Sequence, residues 1–214
     1  MPHKPLHAPR SRLIIASHNP GKLQEFRSLL ADMPFDLEAM SLHNVAAPEE
    51  SGSTFAENAL LKARHAAHLA AAAAVADDSG LEVDALGGAP GIYSARYAGA
   101  AADDAANNAK LRAALQGLGL NERRARYRCA LAFVHGPADP APLLAEGVWE
   151  GYIIDEPRGT GGFGYDRYFW LPALSKTAAE LDPHEKNRHS HRGAALRALR
   201  ELLARDLAAL KRES

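Results

Sequence analysis

The order of apolar and polar residues divides the chain into short strands and amphipathic helices. Apolar runs at residues 13–16 and 73–76 have the length of buried strands. Apolar residues at helical spacing occupy residues 20–33, before Pro34, and residues 196–210. Strands that alternate with helices place the chain in the α/β class, although this pattern does not set the order of the strands.

Polar residues typical of helix N-termini precede four predicted helices. Each of their side chains can accept a hydrogen bond from a free N–H group of the first helical turn. These residues are Asn19 before Pro20, Thr54 in a capping box with Glu57, Asp103, and Asp182 before Pro183. The second helix should extend through about Ala70, and Gly117 should close the third.

Three strands are predicted after the third helix. Residues 125–135 and 143–149 should form a hairpin, and residues 152–154 a further strand. In the first of these strands Arg126 and Arg128 share one face, opposite an apolar face. Such a face is more often solvated, or a dimer surface, than an RNA-binding site. A formal net charge of −1 also argues against a protein that binds nucleic acid by bulk electrostatics.

The length and cysteine content indicate a protein of the cytoplasm. A chain of 214 residues can bury a core as one domain, which we assign to residues 12–210 after a disordered lead-in at residues 1–11. The single cysteine, Cys129, suits a reducing compartment. The lead-in lacks the apolar centre of a signal peptide, and the alanine-rich run at residues 66–76 is too short to cross a membrane. We therefore expect neither a membrane nor a nucleic acid among its partners.

Two adjacent acids follow the second predicted strand, in the sequence Asp77-Asp78-Ser79-Gly80. At a strand end they would place two carboxylates near one spot, one on each side of the pleat. Their mutual repulsion is costly unless a cation or a proton lies there, and a divalent metal is a common solution. All four residues also suit a turn, so a solvated turn before a strand that begins at Leu81 is the alternative.

Two further segments are candidates for ligand contact. Residues 17–22 join a strand to a helix N-terminus that carries Lys22, an arrangement that favours phosphate, although an ordinary connection has the same pattern. Residues 159–166 contain too much glycine for a helix or a strand, and Phe163 among them offers a face on which a purine could stack. A phenylalanine buried in the core is the alternative for this position.

These stretches resemble, in the same order, the motifs of the inosine/xanthosine triphosphate pyrophosphatase family. The longest match is residues 77–99. The others are Ser-His-Asn-Pro-Gly-Lys at residues 17–22, Glu-Asn-Ala at residues 57–59 with Lys62, Gly-Gly-Phe-Gly-Tyr-Asp at residues 161–166, and residues 185–193 with Ser-His-Arg-Gly. The resemblance runs from about residue 13 to residue 200, in these five separate motifs. Arg167 stands where the family usually has proline.

The resemblance implies a fold, an activity and an assembly. The fold would be an elongated, two-lobed mixed β-sheet flanked by helices, with the active cleft between the lobes. The activity would be Mg²⁺-dependent hydrolysis of deaminated, 6-oxo purine nucleoside triphosphates (dITP, ITP, XTP and dXTP) to the monophosphate and pyrophosphate. That reaction cleanses the nucleotide pool and prevents incorporation of these bases into DNA and RNA. A homodimer is also implied.

The resemblance also implies roles for individual residues. Asp78 would be the general base and a metal ligand with Glu50, supported by Asp77. Lys22 and Lys62 would be catalytic by stabilising charge on the phosphates. The phosphate-binding residues would be Ser17, His18, Asn19, Pro20, Gly21, Lys22 and Ser79. The base-binding residues would be Phe163, Gly164, Tyr165, Asp166, Lys186, His191 and Arg192, of which the last three, as charged donors, would face the 6-oxo acceptor.

Two other function classes stay open at this point. One is a nucleotide pyrophosphatase of related fold that acts on pyrimidine or methylated nucleotides. The other is a nucleotide-binding or RNA-binding protein without enzymatic activity, suggested by the arginine cluster at residues 123–128. Magnesium-dependent release of pyrophosphate, measured across a panel of nucleotides, separates all three.

Overall fold

The computed structural model describes residues 10–17, 19–40 and 48–213, which form a mixed sheet with helices on both faces. The strands are β1 (Ser11–Ile15), β2 (Phe35–Ala39), β3 (Ala73–Val83), β4 (Arg124–Val134), β5 (Leu143–Ile153), β6 (Phe169–Leu171) and β7 (Lys176–Thr177). The helices are α1 (Pro20–Leu29), α2 (Phe55–Ala70), α3 (Asp104–Ala114), α4 (Pro183–His189) and α5 (His191–Glu213). Short 3₁₀ segments, including Gly91–Arg96, connect them. This architecture confirms the predicted α/β class.

The sheet has the order β2-β1-β3-β4-β5-β6-β7. β1 pairs in parallel with β2 and β3, and the other neighbours are antiparallel. The predicted lead-in at residues 1–11 lies mostly outside the described residues. β1 begins at Ser11, one residue before the predicted domain boundary.

The helices begin where the capping residues predict. Asn19 accepts hydrogen bonds from the N–H groups of Gly21 and Lys22, and Thr54 forms its capping box with Glu57. The side chains of Asp103 and Asp182 cap α3 and α4 in the same way. None of the described helices is long and apolar enough to cross a membrane.

The paired acids lie inside a strand, so the predicted strand end and turn at residues 77–80 are wrong. β3 is continuous and pairs with β4 from Ala74 to Val83. Gly80 serves close packing, because a Cβ at this position would lie 2.3 Å from the carbonyl oxygen of Gly91 and 2.5 Å from Ser94 Oγ. The glycine therefore admits the segment Gly91–Arg96 against the sheet without ending the strand.

The two strands predicted at residues 143–149 and 152–154 are one continuous strand, β5. Glycine again explains the error. A Cβ at Gly147 would lie 2.1 Å from the carbonyl oxygen of His191, and one at Gly151 would lie 2.6 Å from that of Trp170. The start of α5 therefore packs directly on the backbone of β5, which places His191 and its neighbours over the sheet.

The hydrophobic core divides along the long strands β3 and β4. At one end, a cluster that includes Val75 and Leu131 packs under α1 and α5, and a second that includes Ala76 packs under α2 on the opposite face. At the other end, Leu81 and Val83 join a third cluster that contains residues of α3 and β6. Residues 77–80 lie where the clusters meet, so polar side chains here interrupt no continuous core. This arrangement agrees with the predicted two lobes.

The arginine face of β4 is neutralised within the chain. Arg126 Nη2 lies 2.5 Å from Asp84 Oδ1, and Arg128 Nη2 lies 3.1 Å from Glu146 Oε2. Glu82 and Glu150 lie within 4 Å of the same arginines. The cluster is therefore an ion-pair network on a partly exposed sheet face, with little excess positive charge to attract RNA.

Candidate active site

A cavity of about 360 Å³ opens where the three core clusters meet. Its walls come from β3, the start of α1, α2, the glycine-rich segment after β5, α4 and α5. Fourteen of the predicted site residues line it: Ser17, Asn19, Lys22, Glu50, Lys62, Asp77, Ser79, Phe163, Gly164, Tyr165, Asp166, Lys186, His191 and Arg192. Residues as distant in the sequence as Ser17 and Arg192 therefore line the same cavity.

Asp77 projects from β3 toward α1 and α5, where two cations meet its carboxylate. Its Oδ2 lies 2.8 Å from Lys22 Nζ and accepts hydrogen bonds from Arg192 Nη2 (3.2 Å) and Ser79 Oγ (3.2 Å). Burial alone would raise the pKa of Asp77, but Lys22 and Arg192 outweigh it and lower this pKa far below its usual range. Asp77 is therefore a permanent anion that holds the two cations at the cavity.

Asp78 points to the opposite face of the sheet, toward α2. Its Oδ1 lies 2.7 Å from Lys62 Nζ, and its Oδ2 accepts a hydrogen bond from Asn58 Nδ2 at 3.3 Å. Burial raises the pKa of Asp78, and the attraction of Lys62 only partly offsets this effect. Of the two adjacent acids, Asp78 is accordingly the more basic and the better suited to take a proton.

Lys62 also links Asp78 to the acidic loop before α2. Glu50 Oε1 lies 3.1 Å from Lys62 Nζ, and Glu50 Oε2 accepts a 2.7 Å hydrogen bond from Arg96 Nη1. Although burial works against them, Lys62 and Arg96 lower the pKa of Glu50. Arg96 was not predicted, because its partner lies 46 positions away and no local pattern reveals the pair.

The donor set fits a magnesium ion that shares its coordination with a substrate. Glu50 and Asp78 offer carboxylate oxygens on both sides of one ammonium group. In the described part of the chain, no group of three or more histidine, cysteine, aspartate or glutamate residues could hold a metal ion by itself. Mg²⁺ commonly binds through one or two carboxylates together with substrate phosphates, so two carboxylates suffice.

The turn before α1 supplies a compact polar part of the cavity wall. Asn19 Oδ1 accepts from the N–H groups of Gly21 (2.9 Å) and Lys22 (3.2 Å), and Ser17 Oγ accepts from the N–H of Asn19 (3.2 Å). The Asn19 side chain thus shapes the turn, while Lys22 carries the charge. Pro20 and Gly21 lie at the helix start and outside the cavity lining, and the predicted His18 lies outside the described residues.

Phe163 is 37% exposed and lines the cavity, so it does not belong to the core. Its ring lies beside the turn before α1, since a Cβ built on Gly21 would lie 3.3 Å from Phe163 Cε1. Lys186 Nζ lies 4.9 Å from the centroid of its ring, and Arg192 Cζ lies 5.9 Å from it. Asp166 Oδ2 accepts from Lys186 Nζ (2.6 Å) and from the N–H of Phe163 (2.9 Å). The ring is thus an open apolar face bordered by two cations.

Tyr127 is a cavity residue that the sequence pattern assigned to the core. Its hydroxyl donates to Asp166 Oδ1 at 3.2 Å, and its ring stacks on His191 with the centroids 4.7 Å apart. Because Tyr127 faces inward on β4 like its apolar neighbours, alternation alone could not separate it from them.

His191 is neutral, which corrects the expectation of a charged donor. Burial, together with the positive charges of Arg192 and Lys186, lowers the pKa of His191 well below its ordinary value. Its Nδ1 is buried and has no hydrogen-bond partner among the described residues. A neutral imidazole donates through one nitrogen and accepts through the other, so His191 can meet either kind of group.

Arg192 is held by two acids from distant parts of the chain. Its Nη1 donates to Glu25 Oε2 of α1 at 2.5 Å, while its Nε and Nη2 donate to Asp77. Its Nη2 also donates to Ser79 Oγ at 2.9 Å. Most of its hydrogen-bonding capacity is thus used within the protein, a role that the sequence did not predict. Glu25 was missed because 167 positions separate it from Arg192.

A model of the Ham1 family matches residues 13–202. The chain belongs to the Ham1 family. It is 51% identical to a dITP/XTP pyrophosphatase of Pectobacterium atrosepticum, over 90% of this chain and 98% of that protein. It is 54% identical to a dITP/XTP pyrophosphatase of Ralstonia nicotianae, over 90% and 96% of the respective chains.

Solved structures of Ham1 proteins share the fold. The structure of a HAM1 protein from Coxiella burnetii matches with a TM-score of 0.84 and 47% identity, over 91% of this chain and 99% of that one. The Staphylococcus aureus Ham1 protein matches with a TM-score of 0.80 and 40% identity over the same shares. The predicted family and its helix-flanked mixed sheet are therefore confirmed.

Proposed function

We propose that this Ham1 family chain hydrolyses deaminated purine nucleoside triphosphates (dITP, ITP, XTP and dXTP) to the monophosphate and pyrophosphate, and so cleanses the nucleotide pool. The observation that carries the proposal is one cavity that combines phosphate-binding cations with an exposed aromatic ring. Lys22 and Lys62 line it, and Asp78, which is not part of the lining, lies 2.7 Å behind Lys62. Phe163 lines the same cavity between Lys186 and Arg192. A triphosphate and a purine of one molecule match these two sets of groups.

Asp78 acts as the general base in the proposed reaction. It accepts a proton from the water that attacks the α-phosphorus, and pyrophosphate leaves. Burial raises the pKa of its carboxylate and makes it a better proton acceptor. Asn58 and Lys62 fix its orientation through their hydrogen bonds. Asp77 supports the site by holding Lys22 at 2.8 Å.

Lys22 and Lys62 stabilise the negative charge that grows on the phosphoryl oxygens and on the leaving group. Ser17, Asn19 and Ser79 add hydrogen-bonding groups to the cavity wall around these lysines. Glu50 and Asp78 would hold Mg²⁺, which, when bound, neutralises phosphate charge and orients the leaving pyrophosphate.

The cations beside Phe163 favour a purine with an oxygen at position 6. Lys186 and Arg192 can only donate hydrogen bonds, and a 6-oxo group accepts them. An adenine amino group at that position would place a donor against donors, which disfavours its binding. His191 is neutral, and its Nδ1 has no hydrogen-bond partner among the described residues, so it can accept a hydrogen bond that the two cations cannot. Phe163 stacks on the ring, a contact that depends little on which purine is bound.

None of the described residues that line the cavity favours either alternative. A pyrimidine is smaller and would cover less of the Phe163 ring, and the arginines that suggested RNA binding are paired with acids within the sheet. The relatives at 51% and 54% identity are named dITP/XTP pyrophosphatases.

The products test the proposed reaction directly. With ITP and Mg²⁺, we expect pyrophosphate and inosine monophosphate as the first products, because attack at the α-phosphorus expels the two outer phosphates together. Phosphorus NMR of the early reaction mixture distinguishes these products from orthophosphate and inosine diphosphate. Orthophosphate and inosine diphosphate as first products would place the attack at the γ-phosphorus and contradict the mechanism.

We further propose that the enzyme works as a homodimer in the cytoplasm. Tyr93 is 57% exposed, and Val148 on the outer face of β5 is 44% exposed, so both offer apolar contact area near the arginine face of β4. Light scattering at micromolar concentration is expected to give twice the mass of the 22.9 kDa chain. A single species of monomer mass would refute the dimer.

A further inference from the structure

Helix α3 forms hydrogen bonds with both backbone polar groups of Gly164, the residue that follows Phe163. Asp104 Oδ2 accepts a hydrogen bond from the N–H of Gly164 at 2.6 Å, and Asn108 Nδ2 donates to the carbonyl oxygen of Gly164 at 2.9 Å. The two residues are four positions apart and therefore share one face of the helix. None of the roles assigned above uses either of them.

We propose that Asp104 and Asn108 are positioning residues that fix Phe163 in its stacking orientation and so set the affinity for the nucleotide. The inference rests on the proposed function, in which Phe163 carries the base. Asp104 and Asn108 act on Phe163 through Gly164, and their contribution is expected in substrate binding.

The segment that carries Phe163 needs this support because its backbone is unusually free. Gly162 and Gly164, on either side of Phe163, have φ angles of +72° and +61°. Glycine loses more conformational freedom on ordering than any other residue, so such a loop is not rigid by itself. Asp166 holds the N–H of Phe163, and α3 holds both polar groups of Gly164. The hydrogen bonds thus fix the backbone on both sides of the ring.

The segment borders two cavities, so less packing surrounds it than surrounds a core segment. Asp104, Phe163 and Gly164 line the active-site cavity, and with Asn108 they also line a second cavity of about 430 Å³. The turn before α1 lies beside the ring, since a Cβ built on Gly21 would lie 3.3 Å from Phe163 Cε1. On the side of α3, the position of the segment depends on the hydrogen bonds of Asp104 and Asn108 with Gly164.

The composition of α3 supports a role beyond core packing. Asn107 and Asn108 are both buried, although asparagine is a weak helix former. The Asn107 side chain accepts a hydrogen bond from the N–H of Ala98 and donates one to the carbonyl oxygen of Ala95, which lines the active-site cavity. Asn108 Oδ1 has no hydrogen-bond partner among the described residues, which costs stability. Both asparagines therefore contribute to the structure by binding neighbouring loops through hydrogen bonds.

The test compares three single variants with the unmodified chain. Asp104→Ala removes the acceptor for the N–H of Gly164, whereas Asp104→Asn keeps a side-chain oxygen that can accept it. Asp103→Ala is the matched control, since it removes the N-cap of the same helix without touching Gly164. For Asp104→Ala we expect KM for ITP to rise about tenfold, with kcat changed less than twofold. Asp104→Asn should restore most of the affinity, and Asp103→Ala should lower Tm but leave KM within about twofold.

Hydrogen exchange provides a readout that does not depend on activity. In the ligand-free protein, Asp104→Ala and Asn108→Leu should speed exchange at Phe163 and Gly164, while amides in the middle of α3 keep their protection. Unchanged exchange at these two amides overturns the proposal, as does faster exchange with unchanged KM. If the unmodified chain fails to hydrolyse ITP, the proposed function fails, and the exchange rates still decide whether α3 holds the segment.

Discussion

Turnover of ITP is expected to fall by about 10²–10⁴-fold when Asp78 is replaced by asparagine, because the site loses its general base. The amide has nearly the same shape as the carboxylate but cannot accept the proton of the attacking water. The lost metal-ligand oxygen would deepen the defect. Steady-state kinetics at saturating Mg²⁺ measure the effect.

The same variant should remain folded. Because burial raises the pKa of Asp78, the native state binds its proton more readily than the unfolded state does. The ionised carboxylate therefore costs stability as pH rises above its unfolded pKa, and an uncharged amide avoids that cost. Lys62 keeps its ion pair with Glu50. Thermal unfolding by circular dichroism should thus show a Tm close to that of the unmodified chain.

Asp206→Asn is a suitable control for this experiment, since Asp206 lies on α5 and pairs with His135 away from the cavity. Its turnover should match that of the unmodified chain. If a folded Asp78→Asn variant retains nearly full turnover, the general base lies elsewhere, and the acidic loop at Glu50 becomes the next candidate.

The helix starts could be predicted because capping joins residues that are two or three positions apart. Asn19 and Thr54 meet their partners within one helical turn, so the sequence contains the whole contact. The strands were harder for the opposite reason. Gly80 and Gly151 look like strand ends, yet each makes room for a segment that arrives from elsewhere in the chain. A glycine in the sequence does not reveal whether it ends a strand or lets another segment pack closely on a continuous one.

The resemblance singled out fourteen residues that line one cavity, whereas Asp78, Pro20 and Gly21 lie outside its lining. The partners of these residues depend on the fold, and their roles stay predictions. Arg192 meets Glu25, and Glu50 meets Arg96, across separations that no spacing rule covers. The charge state of His191 depends on burial and on neighbouring cations, which only the packed structure supplies. Because Arg192 pairs with carboxylates on two different elements, we expect its removal to lower the folding stability strongly.

Replacing Arg192 by alanine is expected to destabilise the fold by about 3–5 kcal/mol, because the largely buried Glu25 loses the arginine that pairs with it and Asp77 loses one of the two cations that hold it. The Arg192 side chain is 2% exposed, and those of Asp77 and Glu25 are 1% and 12% exposed. For a chain of this size, each kcal/mol lowers Tm by about 2–4 °C, so we expect a loss of roughly 10 °C. Arg205→Ala is the control: its pair with Glu201 is almost fully solvated, and Tm should stay nearly constant.

The activity of Arg192→Ala, measured well below its Tm, tests whether Arg192 recognises the 6-oxo group of the base. If Arg192 also donates to the 6-oxo group, kcat/KM for ITP should fall by about ten- to a hundredfold beyond any loss for ATP, since a hydrogen bond from a charged group is worth about 1.5–3 kcal/mol. Phe163→Ala should instead lower both substrates alike, because stacking does not distinguish the base edge. An equal loss for ITP and ATP in Arg192→Ala would restrict Arg192 to holding Asp77 and Ser79, and base selection would then rest on Lys186 and His191.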